Sequence, residues 1–131
     1  MPRKVLVVDD EPNIVRLARI NLVREGYLVT SAADGVEALE QVQCDRPDAI
    51  LLDVMMPRMD GFATLQKLKG DPDTAAIPVI MLTAQAHDSA LLYGKQAGAA
   101  HYMTKPFNPA ELAAVMRQVL ADAKDDDGPA S

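Results

Sequence analysis

The stretch Ala49-Ile50-Leu51-Leu52-Asp53 decides the fold, because four apolar residues in a row are followed directly by a carboxylate. A short run of this kind, without alternating polar residues, is typical of a strand that is buried on both faces of a parallel sheet. Four further apolar runs lie along the chain, at Lys4–Val8, Leu28–Ala32, 77–82 and 100–103. The sequence therefore predicts five short strands.

Segments with the apolar spacing of helices separate the five runs. Asp34 and Asn108 are predicted to cap two of these helices at their N-termini, and Gly26 is predicted to end the first helix. Since parallel strands need right-handed crossover connections, alternate helices cover the two faces of one open sheet. We predict a doubly wound α/β fold with five parallel strands, a flavodoxin-like (βα)5 arrangement in the strand order 2-1-3-4-5.

Length and charge narrow the classes of function. The chain has 131 residues, which suits one domain, and its 19 acidic against 13 basic residues give a net charge of −6. This acidity argues against direct nucleic-acid binding, which relies on clustered lysine and arginine. No apolar run approaches the roughly 18–20 residues of a membrane-spanning helix, so we expect a cytoplasmic protein without a membrane partner. We place one domain at 1–123 and expect 124–131 to form an acidic, disordered tail or linker.

Polar side chains stand at the carboxyl ends of four predicted strands. Asp9 and Asp10 follow the first strand, and Asp53 follows the third. Thr83 and Lys105 come at the ends of the fourth and fifth strands. Each residue taken alone is more simply explained as a loop or surface residue. Open α/β sheets bind their ligands at this edge, however, so the combination predicts that three carboxylates, a hydroxyl and an ammonium group converge there.

The chemistry of such a cluster indicates a metal ion and a phosphoryl group. Three neighbouring carboxylates repel one another, and Mg²⁺ removes that repulsion at a site with few protein oxygens. Lys105 and Thr83 are suited to an anion, the first as a point charge and the second as a hydrogen-bond donor. The chain has no glycine-rich nucleotide-binding loop, so a small phosphoryl group is expected. An aspartate carboxylate can itself be the nucleophile that forms an acyl phosphate.

Four motifs of the sequence resemble those of the receiver domain of two-component response regulators. Among these, the chain is similar to a chemotaxis-regulator-like single-domain receiver in particular. The resemblance covers residues 3–122. Its motifs are Val7-Val8-Asp9-Asp10-Glu11, Leu51-Leu52-Asp53-Val54-Met55-Met56-Pro57 with Met59-Asp60-Gly61, Leu82-Thr83-Ala84, and Tyr102-Met103-Thr104-Lys105-Pro106-Phe107.

The resemblance implies a role for each site residue in a phosphoprotein of signal transduction. Asp53 accepts the phosphoryl group from a phosphohistidine on a sensor histidine kinase or a histidine phosphotransfer protein. This partner docks on the first predicted helix of the chain. Lys105 and Thr83 contact phosphoryl oxygens. Mg²⁺ is held by the carboxylates of Asp9, Asp10 and Asp53 and by the backbone carbonyl of Met55.

The resemblance also implies a conformational switch. Movement of Thr83 toward the phosphate is coupled to an inward turn of Tyr102, Ala84 leaves room for the phosphate, and the bond before Pro106 is cis. This changes the surface made by the fourth predicted helix, the fifth strand and the fifth predicted helix, where a downstream protein target binds. Apolar Met55 cannot orient an attacking water, which predicts a long-lived phosphoryl group.

Three alternatives remain beside this interpretation. A metal-dependent phosphohydrolase would carry an Asp-x-Asp pair at its nucleophile, whereas residues 53–55 read Asp-Val-Met. A non-phosphorylated interaction module of the same fold would have lost some of the site residues, and all are present. The chain could also be the receiver of a longer transcriptional or enzymatic regulator. We favour a stand-alone protein that is a monomer or a phosphorylation-dependent dimer.

Overall fold

The computed structural model describes residues 2–54, 60–83, 98–105 and 107–126. Its strands are β1 (Lys4–Val8), β2 (Leu28–Ala32), β3 (Ala49–Asp53), β4 (Val79–Thr83) and β5 (His101–Thr104). Its helices are α1 (Pro12–Arg24), α2 (Gly35–Cys44), α3 (Gly61–Gly70) and a C-terminal helix (Pro109–Asp126). The helix predicted between the fourth and fifth strands falls outside the described residues.

The five strands form one parallel sheet in the order β2-β1-β3-β4-β5. This confirms the predicted fold class and strand order. The fourth strand begins at Val79 and not at residue 77, because Pro78 has no N–H with which to join the ladder. The carbonyl of Pro78 still accepts a hydrogen bond from the backbone of Ile50 at 3.0 Å, so the chain enters the sheet at that point.

Alternate residues of the central strands belong to two separate hydrophobic cores, one on each face of the sheet. Val5 and Val7 of β1 pack on the face covered by α1 and the C-terminal helix. Leu6 and Val8 pack on the face covered by α2 and α3. Because helices cover both faces of the central strands, the polar residues at the ends of these strands lie together at the carboxyl edge of the sheet.

Capping residues fix where the helices begin and end. The side chain of Asp34 accepts a hydrogen bond from the backbone N–H of Glu37 at 2.9 Å, and that of Asn108 accepts one from Ala110 at 2.8 Å. Gly26, after α1, has a φ of +96°, a conformation that favours glycine. Both predicted caps and the predicted end of the first helix are thereby confirmed.

The C-terminal helix continues to Asp126, three residues beyond the domain boundary placed at 123. Residues 127–131 lie outside the described residues, so the disordered tail stays a prediction. Within the described part of the chain, none of the helices is long and apolar enough to cross a membrane.

Candidate functional site

The carboxyl ends of the strands bring the predicted polar residues to one edge of the sheet. Asp9 follows β1 directly, Asp53 is the last residue of β3, and Thr83 is the last residue of β4. All three are buried, with 2%, 2% and 7% of their surface exposed. The backbone N–H of Lys105 donates to the carbonyl of Thr83 at 2.8 Å, which holds Lys105 just beyond the end of β5.

Three carboxylates form a cluster at this edge. Asp9, Asp10 and Asp53 each offer an oxygen, and these oxygens lie within 4.8 Å of one another. Oδ1 of Asp9 accepts a hydrogen bond from the backbone of Glu11 at 2.9 Å. Oδ2 of Asp9 is buried and lies 2.9 Å from Nζ of Lys105. A buried carboxylate oxygen beside two further carboxylates is the donor set that a hard divalent cation requires, so these residues fit Mg²⁺. Met55, expected to add a backbone carbonyl, lies outside the described residues.

Lys105 supplies the positive charge of the cluster. Its Nζ lies 2.9 Å from Oδ2 of Asp9 and 3.2 Å from Oδ2 of Asp53. Burial lowers the pKa of Lys105, but the hydrogen bonding and negative charge of Asp9, followed by Asp53, outweigh burial and raise the pKa above its ordinary value. Lys105 therefore places a positive charge directly at the Asp53 carboxylate.

Glu11 is a site residue that the sequence analysis did not single out. Its Oε1 lies 3.3 Å from the same Nζ of Lys105, and its side chain is 60% exposed. Since Glu11 directly follows two expected metal ligands, its acidic side chain was a signal in the sequence, but its partner lies 94 residues away.

Gly61 is a second residue whose importance only the packing reveals. The N-terminus of α3 lies against the end of β3, and a Cβ on Gly61 would lie 2.2 Å from the backbone oxygen of Asp53. The backbone N–H of Gly61 also donates to the carbonyl of Val54 at 2.9 Å. In the sequence, Asp60-Gly61 was recognised only as part of a motif, whereas the absent side chain is what allows α3 to approach the site.

Tyr102 lies in β5 and packs against the core that β5 shares with α2 and α3. Its hydroxyl is buried and has no hydrogen-bond partner among the described residues. Burial raises the pKa of this phenol. The predicted switch residues Ala84 and Pro106 lie outside the described residues.

The fold and the acidic site together are those of a receiver domain. The family model for the response regulator receiver domain matches residues 5–117. The chain belongs to this family, which confirms the resemblance seen in its motifs. Receiver domains of response regulators are signalling domains of two-component systems and not classical enzymes.

Curated relatives are longer than this chain. It is 43% identical over 120 residues to the alkaline phosphatase synthesis transcriptional regulatory protein PhoP of Bacillus subtilis, a match that covers 92% of this chain and 49% of the relative. It is 44% identical over 127 residues to the response regulator MprA of Mycobacterium tuberculosis, covering 97% of this chain and 54% of the relative. The chain thus spans about half the length of the curated relatives it matches.

Solved structures of similar length share the fold. The chemotaxis protein CheY4 of Vibrio cholerae superposes with a TM-score of 0.87 at 37% identity, covering 91% of this chain and 99% of that one. A CheY-like receiver domain protein of Methanospirillum hungatei gives a TM-score of 0.90 at 28% identity, covering 96% and 99%. Both comparisons agree with the flavodoxin-like arrangement.

Proposed function

We propose that Asp53 accepts a phosphoryl group from a phosphohistidine of a sensor histidine kinase or a histidine phosphotransfer protein, with Mg²⁺ bound by the neighbouring carboxylates. The observation that carries the proposal is the position of Lys105, whose Nζ lies 3.2 Å from the Asp53 carboxylate beside the three-carboxylate cluster. A buried nucleophile next to a fixed ammonium is an arrangement suited to phosphoryl transfer, where the protein mainly positions groups and stabilises charge.

In the proposed reaction an oxygen of Asp53 attacks the phosphorus atom. The new O–P bond forms as the P–N bond to the partner's histidine breaks, and the electron pair of that bond returns to the imidazole. Lys105 donates a hydrogen bond to one phosphoryl oxygen, and Thr83 donates to another. When bound to Asp9, Asp10 and Asp53, Mg²⁺ supplies further positive charge for the phosphoryl oxygens.

The proposed output follows from the position of Thr83 and Tyr102 on neighbouring strands. Thr83 ends β4, and the register of the sheet places Met81 of β4 opposite Tyr102 of β5. A shift of Thr83 toward the phosphoryl group would change the packing of Tyr102, whose hydroxyl makes no hydrogen bond to the described residues. We infer that the surface around β5 and the C-terminal helix changes with phosphorylation and is where a downstream protein binds.

The proposed docking face for the histidine-bearing partner is α1. Leu17, Ile20 and Val23 of this helix are exposed, with 37%, 49% and 53% of their surface accessible. Arg16 and Arg19 belong to the same helix and line a groove that also contains Asp10 of the site. An apolar and basic helix beside the phosphorylation site suits a partner that must bring its phosphohistidine to Asp53.

Several finer statements stay predictions. A cytoplasmic location and a monomer or phosphorylation-dependent dimer rest on the sequence. The prediction of no direct nucleic-acid contact rests on the acidity of this chain and does not extend to a longer protein, since a relative about twice its length is named a transcriptional regulatory protein. A stand-alone receiver and the receiver of a longer regulator both agree with the site described.

Intact mass after incubation with acetyl phosphate tests the proposal. We expect one added phosphoryl group that requires both Mg²⁺ and Asp53, so the adduct is absent with EDTA and in Asp53→Asn. If neither acetyl phosphate nor a phosphorylated histidine phosphotransfer protein gave an adduct, the proposal would be wrong and a non-phosphorylated interaction module would replace it. Turnover of a generic phosphoester would instead indicate a phosphohydrolase.

A further inference from the structure

We propose that Glu11 is a positioning residue of this site: in the unphosphorylated chain its carboxylate occupies the place on Lys105 that a phosphoryl oxygen takes, and so slows phosphorylation by small anionic donors. The inference rests on the proposed function. It concerns a side chain that is neither an expected metal ligand nor the phosphoryl acceptor.

Among the described residues, three carboxylates contact the ammonium of Lys105. An ammonium has three N–H donors, and the carboxylates of Asp9, Asp53 and Glu11 lie 2.9, 3.2 and 3.3 Å from Nζ. A phosphoryl oxygen that approaches Lys105 therefore meets an ammonium that these three carboxylates already contact.

Solvent exposure indicates which of the three carboxylates an incoming phosphoryl oxygen displaces from Lys105. The side chains of Asp9 and Asp53 are 0% and 3% exposed and are the expected Mg²⁺ ligands, so neither carboxylate can turn away from the cluster into water. Glu11 is 60% exposed, and its carboxylate can return to water at little cost. Its contact with Lys105 is also the longest of the three. Glu11 is therefore the partner that a phosphoryl oxygen displaces.

The backbone leaves the Glu11 side chain free for this contact. Glu11 is the N-cap residue of α1, and its carbonyl accepts hydrogen bonds from Ile14 and Val15. Its side chain makes no capping hydrogen bond, although capping is the usual role at this position.

Charge gives the direction of the effect. Among the described residues, Asp9, Asp10, Glu11 and Asp53 place four carboxylates at this edge of the sheet, and the ammonium of Lys105 contacts three of them. An anionic donor approaches against that charge, and Glu11 also competes with it for Lys105. Neutralising Glu11 removes both obstacles. Since exposed ion pairs contribute up to about 1 kcal/mol, we expect a change of roughly two- to fivefold.

The test compares Glu11→Gln with Glu25→Gln, a matched control. Glu25 lies at the other end of α1, and its Oε1 is also 3.3 Å from a basic nitrogen, that of the exposed Arg117. With acetyl phosphate and saturating Mg²⁺, Glu11→Gln should be phosphorylated roughly two- to fivefold faster than the wild type, and Glu25→Gln at the wild-type rate. Raising the salt from about 0.1 M to about 1 M should bring the ratio of the Glu11→Gln rate to the wild-type rate toward one, because the screening length falls to about 3 Å.

A second measurement does not depend on phosphorylation. In the metal-free, unphosphorylated protein, the NMR chemical shift of the Lys105 side-chain nitrogen should move in Glu11→Gln and stay in place in Glu25→Gln. An unchanged shift, or a Glu11→Gln rate no faster than that of Glu25→Gln, would overturn the proposal for Glu11. A wild-type protein that takes no phosphoryl group would refute the proposed function instead, and the chemical shift would still decide whether Glu11 holds Lys105.

Discussion

The close approach of α3 to the proposed phosphorylation site leads to opposite predictions for two glycines of this helix. Gly61 begins α3 and Gly70 ends it. A Cβ on Gly61 would lie 2.2 Å from the backbone oxygen of Asp53 and 2.8 Å from the Cα of Val54, and both contacts are with backbone. A Cβ on Gly70 would meet nothing within 4 Å. Neither glycine has a positive φ, so only the space around them differs.

The magnitudes follow from these contacts. Alanine in place of glycine stabilises the middle of a helix by about 0.5–1 kcal/mol, and the gain at either end of α3 is no larger than this. At Gly61 the alanine methyl would overlap the Asp53 carbonyl by about 1 Å of normal contact distance, and overpacking of this kind costs about 1–3 kcal/mol. We therefore expect Gly61→Ala to lower the free energy of unfolding by about 2 kcal/mol, and Gly70→Ala to leave it unchanged or raise it slightly.

Urea denaturation followed by circular dichroism measures both variants. Because the displaced atoms belong to Asp53 and Val54, Gly61→Ala should also reduce Mg²⁺-dependent phosphorylation, while Gly70→Ala should retain the wild-type rate. A Gly61→Ala protein as stable as Gly70→Ala would refute the reasoning, since it would mean that α3 can move away from β3 without cost.

Two further substitutions test the electrostatics of the site and the burial of Tyr102. Asp10→Asn removes a carboxylate that lies within 4.8 Å of two others, so the metal-free variant should be more stable than the wild type. Mg²⁺ should raise the melting temperature of the variant less than that of the wild type. Equal melting temperatures of the wild type with and without Mg²⁺ would contradict this prediction. Tyr102→Phe removes a buried hydroxyl that has no partner among the described residues, so its free energy of unfolding should rise by about 1 kcal/mol in urea titration. Burial also raises the pKa of Tyr102 in the folded state, so an unfolded tyrosine loses its proton first as the pH rises above 10.0, and the wild type should lose stability there more steeply than Tyr102→Phe. A loss of stability in Tyr102→Phe at neutral pH would show that the hydroxyl has a partner.

Much of this protein follows from its sequence, because the deciding signals are local. Unbroken apolar runs such as 49–52 indicate strands that are buried on both faces, and this pattern requires helices on both sides of a parallel sheet. Asp34 and Asn108 cap helices through bonds to residues two or three positions away. The convergence of the candidate site residues was predictable for the same reason, since each ends a strand or follows it within two residues and the topology brings those ends together.

The tertiary structure alone decided which side chains meet and how closely. Glu11 and Lys105 are 94 positions apart, and their contact depends on how β1 and β5 end on the same edge of the sheet. Gly61 matters because α3 approaches β3 so closely that a methyl group would overlap a backbone oxygen. The buried hydroxyl of Tyr102 likewise depends on the packing of Tyr102 against the core on one face of the sheet. Sequence periodicity specifies which face of a strand or helix is buried, whereas distances of a few ångströms between remote residues are set by the packing of all the elements together.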